Sequence, residues 1–279
     1  MTENGQIIKS LLVMASFVEA RDPYTGGHLW RVSQYARLLG SASQATRQQQ
    51  ALAELGGFIH DIGKISLPDN VLGKPGKLTE GEYEIIKTHP AVGARMLQRH
   101  PLASFALDAV IGHHEMPSGR GYPQGLEGLE IPWVSRVVGI CDAFDAMTST
   151  RSYRQGMSIQ KALEIIQMNA GTQFDHDLAN QFLELGHKGY LTHIVGHSED
   201  GIPLLTCPKC GPTIVIPSNS REGETLYCRV CGGEALLHWK GDDATLQFTG
   251  ISGSPQAMTH HPEMDLIENM TEDLAPVLL

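Results

Sequence analysis

Between residue 6 and about residue 190 apolar residues recur at spacings of three and four, in IIKSLLVMASFVEA, HLWRVSQYARLLG, QQQALAELGGFIHDIGKI, FALDAVIGHHE and SIQKALEIIQMNAG. This is the period of helices that bury one face, so the segment is read as an all-α domain. Pro68, Pro75, Pro90, Pro101, Pro117 and Pro132 fall between these stretches, where proline starts or stops a helix without breaking it. Ser158 stands where it would cap the helix that follows. Past HKGYLTHIVGHSEDG the texture changes to the short β-type runs TIVIP, ETLYC, EALLHW and ATLQF, separated by Gly, Ser, Asn and Pro. The fold class is therefore mainly α, a helical bundle followed by a small β module over 204–250. The remainder, 251–279, reads as an acidic tail, either flexible or a short amphipathic helix that docks on a partner.

A chain of 279 residues with 41 % hydrophobic content can supply a core of its own. Its formal charge of −10 argues against a surface that coats nucleic acid, which relies on positive potential. No apolar run approaches the roughly 20 residues of a membrane span. The opening MTENGQIIKS lacks the basic and apolar regions of a signal peptide, so the expected compartment is the cytoplasm, without membrane contact.

Within the helical part stand His28, His60 with Asp61, His89, His113 with His114, and Asp142. Imidazole and carboxylate suit iron, manganese or zinc, and helices meeting around a core can turn such residues toward one centre. Any one of these histidines alone would read as an ordinary core or surface residue; the sum does not. Adjacent helical residues diverge by about 100°, so His60 and Asp61 reach one site only from the side of their helix, which suits Asp61 as a bridging carboxylate. Lys64, four residues after His60, is expected one turn on along the same face, where its ammonium would neutralise phosphate or protonate a leaving oxygen. Gly63 is expected to leave room for a ligand.

Four of the five cysteines form two Cys-x-x-Cys knuckles, Cys207/Cys210 and Cys228/Cys231, with 17 residues between them. That spacing between short strands indicates a zinc ribbon with one structural zinc ion, in a reducing compartment. A redox dithiol is the weaker reading, since one motif would suffice and no βαβ pattern surrounds it. The ribbon carries more acidic than basic residues, which favours protein contact or a structural role over nucleic acid.

The motifs EARDPYTGGHLWRV, HDIGK, LPDNVLGKPGKLTEGEYEIIKTHPAVG, HHEMPSGRGYPQGLEGLEIPWVSRVVGICDAFDAMTSTRSYR and GTQFD, in this order, resemble an HD-GYP domain from about residue 7 to about residue 187. The resemblance implies an HD-superfamily helical bundle, over 1–192, that acts as a bacterial phosphodiesterase on cyclic di-GMP and yields linear dinucleotide or GMP. It places His28, His60, Asp61, His89, His113, His114 and Asp142 at metal-ligand positions, with Asp61 bridging. Asp61 and Lys64 become the catalytic residues, and Lys64, Arg151, Arg154 and Tyr122 the substrate contacts. Tyr24 occupies the position where some family members have a glutamate and a third metal, so two ions are expected, iron or manganese. Ser118 stands where the family usually has an acidic or amide residue. The GYP loop, the ribbon and the tail are the surfaces where a protein partner would bind. The rival readings are a receptor that binds cyclic di-GMP and signals through the ribbon, and an HD phosphohydrolase of another nucleotide.

Overall fold

The computed structural model describes residues 3–22, 25–74, 76–150, 154–211, 213–254, 256, 259 and 263–279. The helices of the first part are α1 (Glu3–Glu19), α2 (His28–Ala42), α3 (Arg47–Ile59), α4 (Asp69–Leu72), α5 (Glu80–Ile86), α6 (His89–Leu97), α7 (Ala103–Gly112), α8 (Trp133–Thr148), α9 (Ile159–Met168) and α10 (His176–His187). Local chemistry explains several starts. Thr46 and Gln49 exchange side-chain and backbone hydrogen bonds at the head of α3. Ser158 accepts from the Lys161 N–H at 3.3 Å to open α9, and Asp175 accepts from the backbone N–H groups of Asp177 and Leu178 to open α10.

α2 packs on α3 and α8, and α7 fills the angle between α3 and α8. Tyr35 of α2 meets Phe144 of α8 edge-on at 5.2 Å, and Phe144 meets Phe182 of α10 at 5.0 Å. These aromatic contacts tie three helices at the centre of the core. One expected helix is cut short: the pattern through Ile65 suggests continuous α-helix, but α3 ends at Ile59 and a 3-10 turn covers Ile62–Ser66. His60 and Asp61 lie in the break. Lys64 is therefore not one α-turn above His60.

Beyond α10 come two small antiparallel pairs, β1 (His197–Glu199) with β2 (Ile202–Pro203) and β3 (Leu205–Thr206) with β4 (Thr213–Ile214). A three-stranded antiparallel sheet follows, β5 (Thr225–Tyr227), β6 (Gly233–Lys240) and β7 (Asp243–Ser252), with Leu237 opposite Leu246. Ile214, Ile216, Leu226 and Leu237 form its small core with Cys207 and Cys228. The chain closes in α11 (Met264–Leu278), which turns Ile267, Met270, Leu274 and Leu278 inward against α1 and α3. Lys9 on α1 donates to Glu268 at 2.5 Å. The amphipathic helix within 251–279 is thus seated on this chain's own bundle.

Glu54 of α3 is buried beneath this arrangement. Burial pushes its carboxyl up to about 7, Asp273 of α11 adds to the rise, and the Arg37 guanidinium opposes it. Because the folded state holds the proton to higher pH than the unfolded chain, this contribution is complete below 4.5 and is lost as pH rises through 7. Thermal unfolding followed by circular dichroism should show stability falling from pH 5 to pH 8, and Glu54→Gln should recover roughly 1–3 kcal/mol at the upper end. An unchanged slope in that variant would contradict the assignment.

Candidate metal centre

Seven side chains from five helices meet at one place, and most come from helix ends. His28 is the first residue of α2, His89 the first of α6, His60 follows α3, His113 follows α7, and Asp142 projects from α8. Gly63 explains how α6 comes so close to the turn that carries Asp61. A Cβ there would lie 1.9 Å from the His89 carbonyl oxygen and 2.6 Å from the Gly93 nitrogen. The room expected for a ligand at Gly63 is taken by the backbone of α6 instead.

Asp61 divides its carboxylate between two groups. Oδ1 lies 3.2 Å from His89 Nε2. Oδ2 lies 3.4 Å from His60 Nε2, 3.6 Å from His28 Nε2 and 2.6 Å from Lys64 Nζ. On the first side the donor atoms of His89, His113 and His114 fall within 4.8 Å of one another, and on the second those of His28, His60 and Asp142 do the same. Lys64 meets Asp61 three residues away rather than sharing a face with His60.

The ring protons follow from the partners. His60 Nδ1 donates to the Gly57 carbonyl at 2.8 Å, His89 Nδ1 to Ile86 at 2.8 Å and His113 Nδ1 to Val110 at 3.0 Å. A carbonyl only accepts, so each Nδ1 carries a proton, and His89 and His113, which burial keeps neutral, present a lone pair at Nε2. His89 Nε2 faces His113 Nε2 at 3.2 Å, and His28 Nε2 faces His60 Nε2 at 3.3 Å. The two acceptors of His89 and His113, turned toward each other at 3.2 Å, repel unless a cation lies between them. Burial holds His89 below its usual pKa, His113 well below it, and His114 down to about 3. Protons do not fill that role on this side at neutral pH, and the donor set fits divalent metal ions.

Charge on the other side points the same way. Burial alone would depress His28, but hydrogen bonds to Asp145 and Asp61 outweigh it and raise the imidazole to about 9. Carboxylates that attract a proton there also attract a metal. Asp61 resists the upward push of burial because Lys64 and His60 hold its carboxyl well below the usual range. Lys64 stays cationic: burial opposes the charge, and Asp61 more than restores it.

Two residues of the centre lie inside the motifs around His28 and Asp142 without having been assigned a role there, Arg31 and Asp145. Asp145 Oδ2 accepts from His28 Nδ1 at 2.8 Å, and Arg31 Nε donates to Asp145 Oδ1 at 2.6 Å. Asp145 stands three residues after Asp142 and Arg31 three after His28, so the helical spacing was the available signal. The loop after His114 is organised by the buried Glu115, which accepts from Gln124 N–H at 2.7 Å and Leu126 N–H at 3.0 Å. This brings the Tyr122 ring onto His114, centroids 4.7 Å apart. Arg154 donates through Nη2 to the Ala146 carbonyl, on the turn of α8 after Asp142. Arg151 and Tyr24 lie outside the described residues. A cleft of about 300 Å³ opens beside the centre, lined among others by His113, His114, Asp142, Met116, Met147 and Phe174.

The four cysteines form a second constellation. Cys210 Sγ lies 3.6 Å from Cys207 Sγ and 3.5 Å from Cys228 Sγ, and Cys207 and Cys231 are 3.8 Å apart. These separations exclude disulfides. Sulfurs around a tetrahedral zinc with bonds of about 2.3 Å would sit about 3.8 Å apart, which matches.

A model of the HD domain matches residues 12–178. The chain belongs to the HD domain family. Over 189 residues this HD protein is 35 % identical to a probable cyclic di-GMP phosphodiesterase of Vibrio cholerae, covering 62 % of this chain and 43 % of that relative. Over 169 residues it is 37 % identical to a cyclic di-GMP phosphodiesterase response regulator of Xanthomonas campestris, covering 60 % and 45 %. A 3'3'-cGAMP-specific phosphodiesterase of Vibrio cholerae is 36 % identical over 159 residues, covering 57 % and 34 %. The chain spans less than half the length of these curated relatives. Among the described residues no helix is long and apolar enough to cross a membrane.

Asp145 keeps His28 Nδ1 protonated and its ring oriented. Asp145→Asn should weaken metal retention about 10- to 100-fold, as loss of an outer partner of a ligand histidine generally does. Metal titration with circular dichroism as a folding control would measure this. Unchanged affinity would assign Asp145 to the Arg31 ion pair alone.

Proposed function

We propose that this HD domain hydrolyses cyclic di-GMP to the linear dinucleotide or GMP at a two-metal centre. His28, His60 and Asp142 would hold one ion and His89, His113 and His114 the other, with Asp61 shared. The observation that carries this reading is the division of the Asp61 carboxylate between two groups of donor nitrogens. The mixed imidazole and carboxylate donors suit iron or manganese, and the four thiols suit zinc. Bound there, divalent ions would acidify a water and polarise the phosphoryl oxygens.

This chain's own residues supply the rest. Lys64, cationic and 2.6 Å from Asp61, is placed to stabilise charge on the phosphate and to give a proton to the departing ribose oxygen. Tyr122, stacked on His114 at the rim, offers an aromatic face and a phenol to the substrate. Arg154 uses Nη2 on Ala146, and its guanidinium has further N–H donors for a phosphate. The apolar side chains Met116, Met147 and Phe174 in the adjoining cleft suit a flat base. A four-cysteine zinc site suits a reducing compartment, the cytoplasm.

The relatives include enzymes named for two cyclic dinucleotides, so the test carries both. Protein purified without oxygen is loaded with ferrous iron or manganese and incubated with cyclic di-GMP or 3'3'-cGAMP, and products are resolved by chromatography. Linear dinucleotide or GMP should appear from cyclic di-GMP. Asp61→Ala should abolish turnover and metal retention together, and Lys64→Ala should lower kcat about 100-fold. Intact cyclic di-GMP with metal demonstrably bound would overturn the reading; cleavage of 3'3'-cGAMP alone would keep the chemistry and change the substrate.

A further inference from the structure

The segment that presents His28 is pressed between the helical bundle and the cysteine module. Arg31, one turn after His28, is almost fully buried. Its Nε and Nη2 grip Asp145 at 2.6 and 3.0 Å, and its Nη1 donates to the carbonyl of His197, the first residue of β1, at 2.8 Å. Asp145 in turn accepts from His28 Nδ1. One guanidinium therefore joins the backbone of the C-terminal module to the carboxylate that orients a ligand candidate.

Three further contacts act on the same turn. Gly27 immediately precedes His28 with φ of +71°, and a Cβ there would meet Ser198 Cα at 2.6 Å, so β1 lies directly on it. A Cβ on Gly26 would meet Val215 Cγ2 at 2.5 Å. Glu19 at the end of α1 accepts from the Leu29 N–H at 2.9 Å, and with Gly27, Ser198 and Arg229 it lines a cavity of about 40 Å³. Arg229 lies inside the second knuckle, between Cys228 and Cys231, and its charge acts on Glu19. β2 and β3 belong mechanically to the module, because Ile202 and Leu205 pack on its small core.

We propose that the four-cysteine module is a positioning element of the metal centre: its metal-loaded fold holds His28 in place through Arg31, Asp145 and the small cavity that Arg229 and Glu19 line together. The inference rests on the reading of the His/Asp cluster as a two-metal centre. The module's core is too small to hold its shape without its ion. When the module loosens, Arg31 Nη1 loses its His197 acceptor and keeps only the Gly26 carbonyl at 3.1 Å, on the turn that β1 itself holds, so the guanidinium that grips Asp145 is less firmly placed and the His28 ring with it. The effect falls on the His28 side. His89 and His113 take their second-side bonds from elsewhere, from Ile86 and Val110.

The test uses the full chain, titrated with manganese, with zinc content measured by elemental analysis. Wild type should bind two manganese ions at the His/Asp centre. In the Cys228→Ser/Cys231→Ser variant, stripped of zinc, one dissociation constant should rise about 10-fold or more while the other stays as in wild type. Arg229→Gln, with its zinc retained, should weaken the same ion. A general loosening would move both constants together, and that result, or two unchanged constants in a zinc-free variant, would overturn the proposal. If the double variant loses its helical circular dichroism, Arg229→Gln decides alone by the same criterion. Wild type that binds no manganese or iron would overturn the two-metal reading itself, before any variant is compared.

Discussion

A buried carboxylate shared between two sets of imidazole nitrogens is the constraint on which the rest of this molecule depends. Asp61 has one oxygen toward His89 and the other toward His60 and His28, and its negative charge is tolerated only because Lys64 and the surrounding donors compensate for burial. The bundle makes this geometry with helix ends. Closing turns of helices have carbonyls without intrahelical partners, and Gly57 of α3, Ile86 of α5 and Val110 of α7 each take the Nδ1 proton of a histidine. Each helix end thus holds a ring proton at Nδ1 and aims an Nε2 at the same small volume.

The two halves of the centre are held differently. His89 and His113 are fixed by backbone within a few residues of themselves. His28 is fixed by a carboxylate from α8, which is fixed by a guanidinium that also reaches β1. A local device makes the first half a property of the helices alone. A chain of long-range contacts makes His28, unlike its neighbour His60 on the Gly57 carbonyl, sensitive to whatever the C-terminal module does.

Much of this was legible before any coordinates. Helical periodicity located the helices because burial on one face imposes it. The His and Asp residues stood out because imidazole and carboxylate side chains do not accumulate in apolar helices without partners, and the two Cys-x-x-Cys knuckles matched the spacing of a tetrahedral site. The break at His60 was not legible, because it depends on α6 pressing its backbone on Gly63, a tertiary contact that helical spacing does not report. The pairing of Asp145 with Arg31 was hidden for a related reason: their three-residue offsets from Asp142 and His28 mean something only once α2 and α8 are known to pack together. The closing helix illustrates the same limit. Its apolar face was readable in MDLIENMTEDLAPVL, while the surface covering that face, α1 and α3, was not.

The most direct test of the central claim is anomalous X-ray diffraction from crystals of the manganese-loaded protein, recorded at the manganese edge. The account predicts two peaks about 3.5–4 Å apart, with one oxygen of Asp61 on each, His28 and His60 on one ion and His89 and His113 on the other. A single ion that does not touch Asp61, or two ions held without it, would contradict the account.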